Sequence, residues 1–130
     1  MAENQKLSLI PVQGTYTIHR LQPSQEIPLI SKGFHSVTVT DEEVSVVCLE
    51  DIKIDSEQSS PAWKCIKVAG PLDVNLVGIL HDLTKPLKEA GISVFVISTY
   101  DTDYLLVPEK SYDDAIQVLS DQYVLHIEYG

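Results

Sequence analysis

Two short polar stretches hold the residues best suited to bind a small charged molecule. One is a glycine-proline loop at residues 70–74 (GPLDV), which leads into a predicted helix, and the other is residues 98–103 (STYDTD), between two predicted strands. The amides of residues 72–74 suit a carboxylate because a helix start presents free donors and partial positive charge, and Gly70 permits close approach. Asp103 suits an ammonium or guanidinium group through a charge-assisted hydrogen bond. The sequence thus offers two opposite poles for a zwitterion.

The same residues also have structural interpretations. Asp73 suits the N-cap of the helix, where its carboxylate would compete with that of a ligand. Asp101 and Asp103 suit hydrogen bonds to the backbone of a turn. Tyr100 suits packing at an interface. At the level of sequence both interpretations remain open.

No arrangement of residues in the sequence indicates catalysis, a metal site or a cofactor. A phosphate-binding glycine loop, a dinucleotide fingerprint and a nucleophile elbow are all missing. His81 and Asp82 do not form an acid-base pair, because they are neighbours on a helix, where successive side chains point about 100° apart and do not face each other. Cys48 and Cys65 stand alone in apolar runs, which is typical of reduced, buried cysteines. We therefore predict a protein that is not an enzyme.

The charge balance excludes two classes of partner. Nineteen acidic and nine basic side chains give a formal charge of -10, which disfavours nucleic acid and anionic lipid surfaces. The N-terminal residues lack a signal-peptide pattern, and no apolar run approaches the roughly 20 residues that span a bilayer. The 130 residues, 44% hydrophobic, suffice for one ordinary core or two small ones. We predict a soluble, cytoplasmic protein without nucleic-acid or membrane partners.

Regular elements must position the two polar stretches. A helix is predicted between Asp73 and Gly91, with Gly91 as its C-terminal stop and a kink, but no break, at Pro86. Its buried face comprises Leu76, Ile79, Leu80, Leu83 and Leu87. The strand predicted at residues 92–98 is apolar on both faces. Its second face therefore requires a cover, either the first half of the chain or another copy in a homodimer.

The second half of the chain predicts an α+β unit. A strand at residues 63–68 precedes the helix that ends at Gly91, and the strand at residues 92–98 pairs with a second strand that ends before Pro108. A helix then covers residues 111–122, and a last strand covers residues 123–128. The buried face of this last helix is predicted to comprise Tyr112, Ala115, Ile116 and Leu119. This order is the ferredoxin-like arrangement, with two helices on one face of an antiparallel sheet.

The first half reads as the same unit with one helix lost. Strands are predicted at residues 7–12 and 15–21 with a turn at Gly14, then a short helix at residues 24–33, then a hairpin of residues 34–40 and 44–49. A loop or linker follows at residues 51–61. The predicted domains are therefore residues 1–61, degenerate, and residues 62–130, complete.

The sequence of elements and the segment VISTYDTDYLLVP at residues 96–108 resemble ACT domains. More narrowly, the chain resembles small bacterial tandem-ACT proteins related to the eukaryotic cytosolic arginine sensors of the CASTOR type. The resemblance is close from about Trp63 to the end. It implies a ferredoxin-like ACT fold with two tandem units, and regulatory binding of an amino acid or another small metabolite between ACT units, without catalysis.

The resemblance also implies a set of ligand-binding residues. In the arginine sensors the pocket is lined by the loop before the helix and by the Ser-Thr-aromatic turn with its following aspartate. The matching residues here are Gly70, Pro71, Leu72, Asp73 and Val74 on the loop, and Ser98, Thr99, Tyr100 and Asp103 on the hairpin. The alternative function is a module that dimerises or binds a protein without any ligand.

Overall fold

The structure, a computed structural model, describes residues 8–69 and 78–122. These residues divide into two compact units: the N-unit is residues 14–63, and the C-unit is residues 8–13, 64–69 and 78–122. The strands are β1 (Ser8–Leu21), β2 (Ser36–Val39), β3 (Val44–Leu49), β4 (Gln58–Ala69), β5 (Phe95–Ser98) and β6 (Asp103–Pro108). The α-helices are α1 (Ile79–Glu89) and α2 (Tyr112–Gln122), and a 3-10 turn, Glu109–Ser111, precedes α2.

The C-unit consists of two helices packed on a sheet. Its strands lie in the order β1-β4-β6-β5, and β5 pairs with β6 in antiparallel register, with Ser98 opposite Asp103. The helices bury Leu83 and Leu87 of α1 and Ala115 and Leu119 of α2 against strand residues that are equally inaccessible. The buried cluster comprises Leu9, Ile66, Val68, Leu83, Leu87, Ile92, Leu105, Val107, Ala115 and Leu119.

The described part of α1 follows its predicted pattern. Leu83 and Leu87 are fully buried, Leu80 packs against the same core, and the helix continues through Pro86 to Glu89, so Pro86 does not break it. Leu76 lies outside the described residues. At the C-terminal end, Gly91 adopts φ 75° and donates to the Lys88 carbonyl, while the Ile92 amide donates to the Leu87 carbonyl. These two hydrogen bonds form a Schellman motif, which confirms Gly91 as the C-terminal stop of the helix.

The other predicted elements of the C-unit are found with small differences. The predicted buried face of α2 is confirmed, since Ala115 and Leu119 are fully buried and Tyr112 and Ile116 pack beside them. β5 is shorter than predicted, because it begins at Phe95 and the preceding residues 92–94 belong to no strand. The last predicted strand, residues 123–128, lies outside the described residues.

The N-unit is built from strands alone. Its strands lie in the order β2-β3-β1-β4, with β3 antiparallel to both β1 and β2. Alternate residues of β3 point inward and, with Leu21 at the end of β1, form a second core. This core comprises Leu21, Ile30, Val44, Val46 and Cys48, with Ile52 and Ile54 packed against it. The predicted hairpin of β2 and β3 is confirmed.

Three predictions for the first half are wrong. Residues 24–33 form a turn and irregular chain rather than a helix, because Pro23 and Pro28 remove backbone donors from a short segment. Gly14 does not turn the chain, since β1 runs through it with φ 105°. The loop after β3 ends earlier than predicted, because β4 begins at Gln58.

Candidate functional site

The β5–β6 turn is closed by its own polar side chains. The Thr99 amide donates to the Thr102 carbonyl at 2.8 Å. The Thr99 hydroxyl donates to the same carbonyl at 3.0 Å and accepts from the Thr102 amide at 3.2 Å. Both functions of this hydroxyl are therefore used within the turn, which fixes the backbone between β5 and β6.

Ser98 and Asp103 form the base of the turn. They are cross-strand partners, and the Ser98 hydroxyl donates to Asp103 Oδ1 at 2.5 Å. Asp103 is half-buried, and no lysine or arginine in the described ranges forms an ion pair with it. Its hydrogen-bond partner is thus a side chain rather than the turn backbone. Because a carboxylate accepts several hydrogen bonds, Asp103 retains acceptor capacity for a cationic group.

The tip of the turn is open to solvent. Tyr100 is 102% exposed, so its ring packs against nothing in the described part of the chain, and Asp101 beside it is also exposed. A fully exposed tyrosine loses no intramolecular contact on binding and offers a large apolar face with a polar tip. This position therefore suits a contact with a ligand or with another protein surface.

Thr102 connects the turn to the end of β4. Its hydroxyl donates to the Val68 carbonyl, 34 positions earlier in the chain. β4 ends at Ala69, and the predicted binding loop begins at the next residue. The turn is thus held beside the C-terminal end of β4. Thr102 was not among the predicted site residues, because nothing in its local sequence indicates so distant a partner.

The structure brings together one half of the predicted site. Ser98, Thr99, Tyr100 and Asp103 lie on a single turn, whereas Gly70, Pro71, Leu72, Asp73 and Val74 lie outside the described residues. α1, as described, begins at Ile79 with Gly78 at its N-cap. The predicted convergence of the two poles therefore stays a prediction.

Residues 8–69 and 78–122 contain no cluster of three or more His, Cys, Asp or Glu side chains that could hold a metal ion. No helix in the same ranges is long and apolar enough to cross a bilayer.

Comparison with known sequences finds two family models and several relatives. A model described as an ACT domain matches residues 58–121, and a second model, described as an N-terminal domain, matches residues 14–57. The cytosolic arginine sensor for mTORC1 subunit 1 of Homo sapiens is 34% identical over 89 residues, which are 68% of this chain and 26% of the sensor. The chain spans about a quarter of the length of the sensors it matches.

Solved structures match over nearly the whole chain. A crystal structure of a protein from Agrobacterium tumefaciens is 36% identical, with a TM-score of 0.88 over 98% of this chain and 97% of that one. The aspartate kinase of Clostridium acetobutylicum shares only 10% identity but reaches a TM-score of 0.63 over 84% of this chain and 33% of the kinase. The second likeness concerns the fold alone.

Proposed function

The chain belongs to the ACT-domain family, and on that premise we propose that it is a non-enzymatic, cytoplasmic regulatory module that binds an amino acid or a related small metabolite between ACT units. Its two units are proposed to be residues 1–61 and residues 62–130. The two family models support this division, since one ends at residue 57 and the other begins at residue 58. A second copy of the chain in a homodimer would supply further units for a shared pocket.

The observation that carries the proposal is the turn of residues 98–103. It holds a half-buried carboxylate without a cationic partner in the described ranges, beside an exposed aromatic ring, and Thr102 fastens it to the end of β4. The side chains of a site that is already ordered lose less conformational entropy when a ligand binds. The geometry suits the ammonium or guanidinium end of an amino acid.

The remaining predicted contacts complete the proposed pocket. The amides of residues 72–74 would receive the ligand carboxylate, with Gly70 and Pro71 shaping the loop and Asp73 in its immediate vicinity. Arginine is the first candidate to test because the matched sensors are named for it. Other amino acids follow, since this chain corresponds to only about a quarter of those sensors.

Calorimetric titration with each common amino acid tests the proposal. We expect one amino acid or one chemical class to bind saturably and to raise the melting temperature, as any ligand of the native state must. The change Asp103→Asn keeps the size and the Ser98 contact but removes the charge. It should weaken binding about 10- to 100-fold, the usual contribution of a charge-assisted hydrogen bond.

Asp101→Asn is the matched control, because this exposed neighbour loses the same charge in the same turn. It should change the affinity by less than about threefold, as expected of a screened surface charge. Absence of binding by every amino acid to folded protein, or equal losses in the two variants, would refute Asp103 as the cation-binding residue.

A ligand-independent assembly module is the second candidate, and one feature of β5 favours it. β5 is the last strand of the sheet order in the C-unit, so one edge has no partner among the described strands. Phe95 and Ile97 are only half-buried, on the face opposite Val96, which packs into the core. A stable dimer that no amino acid alters would favour this function over sensing.

A further inference from the structure

A groove on the C-unit has features of a small-molecule site that the proposed function does not use. It lies between the exposed face of α1 and the connection to β5, and its volume is about 650 Å³. Pockets for small ligands commonly measure about 300 to 1,000 Å³, so the groove has room for a compact organic molecule.

One wall of the groove is basic. His81, Lys85 and Lys88 follow one another at steps of four and three residues, which places them on one stripe of the helix. This stripe faces away from Leu83 and Leu87, which the core buries. Lys88 lies in the last turn, where a cation also complements the helix dipole, but His81 and Lys85 lie too far from that end for the same explanation.

The two lysines have no competing partners within the described chain. The ion pairs of residues 8–69 and 78–122 involve Arg20 and Lys32, and neither Lys85 nor Lys88 takes part in one. Among the residues that the structure describes, Glu89 is the only carboxylate that lines the groove. In a chain of formal charge -10, two lysines without ion-pair partners among the described residues, against one glutamate, leave a local excess of positive charge.

The floor of the groove is apolar. Ile92 is buried in the core and Val94 packs against it, and both line the groove below the basic stripe. At Gly91, which joins the helix to this connection, no heavy atom of a residue beyond its chain neighbours lies within 4 Å of the position that a Cβ would occupy, so this part of the lining is uncrowded. A charged rim above an apolar floor matches a molecule with an acid group at one end and a hydrocarbon body at the other.

We propose that this groove binds a small organic anion, a carboxylate or a phosphate monoester with an apolar body. Lys85 and Lys88 hold the acid group through charge-assisted hydrogen bonds, His81 supplies a further nitrogen, and Ile92 and Val94 contact the body. Val94 of the groove precedes β5, and Ser98 of the turn is its last residue, so three residues lie between the two sites and four residue steps, about 13 Å, separate them along the strand. The anion site is therefore distinct from the proposed amino-acid site.

Titration of the 15N-labelled protein, followed by NMR, tests the anion site. Benzoate and phenyl phosphate should produce saturable shifts centred on the amides of residues 81–94, whereas amino acids bound at the proposed site should act on residues 98–103. Inorganic phosphate lacks the apolar body, and benzyl alcohol lacks the acid group. Each should bind at least about tenfold more weakly, because it loses either the apolar contacts or the charge-assisted hydrogen bonds.

The double change Lys85→Gln and Lys88→Gln should weaken benzoate and phenyl phosphate at least about tenfold. Both side chains are exposed and glutamine has a similar helix propensity, so the fold should persist, and the NMR spectrum reports it directly. Lys53→Gln with Lys110→Gln alters the net charge equally at exposed positions outside the groove. This control should retain the affinity within about twofold.

Several results would overturn the anion site. These are absence of saturable shifts with both aromatic anions, shifts centred outside residues 81–94, equal losses in the two double variants, or benzyl alcohol or inorganic phosphate binding as tightly as phenyl phosphate. None of these outcomes depends on whether an amino acid binds at residues 98–103, so the two proposals fail separately.

Discussion

At the scale of single residues, the most unusual group is a histidine inside the N-unit. His19 lies on β1 opposite Val46, is 8% exposed, and has Nδ1 3.0 Å from the Ser56 hydroxyl. Its other nitrogen, Nε2, is buried without a hydrogen-bond partner among the described residues. A charged imidazole needs an acceptor at both nitrogens, so burial lowers the pKa of His19 below its usual 6.5. The folded state therefore favours the neutral form of His19.

This histidine predicts a loss of stability in mild acid. Between the lowered pKa of the folded chain and the pKa of about 6.5 in the unfolded chain, the unfolded state binds more protons, so the free energy of unfolding falls as the pH drops through this window. Urea unfolding at about pH 7.5 and about pH 5.5 measures the difference. His19→Gln cannot be protonated and should reduce that difference. An undiminished difference in this variant would assign the acid sensitivity to other groups.

The two cysteines are free and buried, which confirms the prediction of reduced core thiols. Burial raises the pKa of Cys65 from 9.0 to about 12, so its thiolate fraction near neutral pH is about a thousandfold smaller than that of an ordinary thiol. Burial, with a smaller contribution from Asp51, also raises the pKa of Cys48. Because the thiolate is the reactive form, native Cys65 should be inert.

Reaction with a disulfide reagent at about pH 8 tests this expectation. The native protein should react at less than about one hundredth of the rate of urea-unfolded protein, in which two thiols should be titrated. Cys48→Ser and Cys65→Ser, each leaving one thiol, identify the slower position, which should be Cys65. Rapid modification of native Cys48→Ser protein would contradict this expectation, because it would show that local opening of the structure readily exposes Cys65.

At the scale of elements, glycine conformation decides the local geometry at three places. Gly14 in β1 and Gly33 before β2 have φ of 105° and 74°, and both face Leu49. A Cβ at residue 33 would lie 2.5 Å from Leu49 Cδ1, and one at residue 14 would lie 2.6 Å from Leu49 Cδ2. Gly91 has φ 75° but open space around it. Leu49 thus lies between two glycines that admit its methyl groups.

Alanine at these glycines separates backbone strain from crowding. Gly91→Ala introduces a side chain at positive φ alone and should lower the free energy of unfolding by about 1–2 kcal/mol. In Gly33→Ala the new Cβ must also displace Leu49. This change should lower the free energy of unfolding by about 2–4 kcal/mol, because backbone strain and overpacking add together. Urea unfolding provides both values. An equal loss in the two variants would mean that Leu49 moves aside without penalty.

The prediction of an element was correct where the sequence had both a periodic apolar pattern and a clear signal for the end of the element. α1 has Leu83 and Leu87 in phase and ends at Gly91, and both features are found. The prediction failed at residues 24–33, where Ser24 and Gly33 suggested the two ends of a short helix, but Pro23 and Pro28 interrupt it and the chain is irregular there, with Leu29 98% exposed. The turn at Gly14 failed because pairing along β1 outweighs a single glycine.

At the scale of the whole molecule, the predicted α+β class with a ferredoxin-like ACT fold is confirmed by the family model and by the fold shared with solved structures. The strand, helix, strand, strand, helix order of β4 to α2 is the predicted one. Residues 14–63 contain strands and no helix, in keeping with a degenerate first unit. Such sheets leave edges that native proteins cover or protect.

The edge at β5 predicts that the protein dimerises there. We expect a dimer at micromolar concentration by analytical ultracentrifugation, and Ile97→Lys should weaken it at least about tenfold, because a lysine on an edge strand opposes pairing with a second chain. Thr38→Lys adds the same charge to β2, the edge strand of the N-unit, and should leave the dimer intact. A monomeric parent protein, or dissociation by Thr38→Lys alone, would contradict this assignment.

The sequence alone determined the features that depend on local chemistry and periodicity: the helices of the C-unit, the terminating glycine, the buried cysteines, the family, and the turn with Ser98, Thr99, Tyr100 and Asp103. Only the tertiary structure decided which atoms meet across the chain. The bond from Thr102 to Val68, the unpartnered nitrogen of His19, the glycines around Leu49 and the basic groove of α1 all depend on such meetings. The reason is physical: periodicity records which face of an element is apolar, whereas contacts between distant residues follow from how the elements pack together.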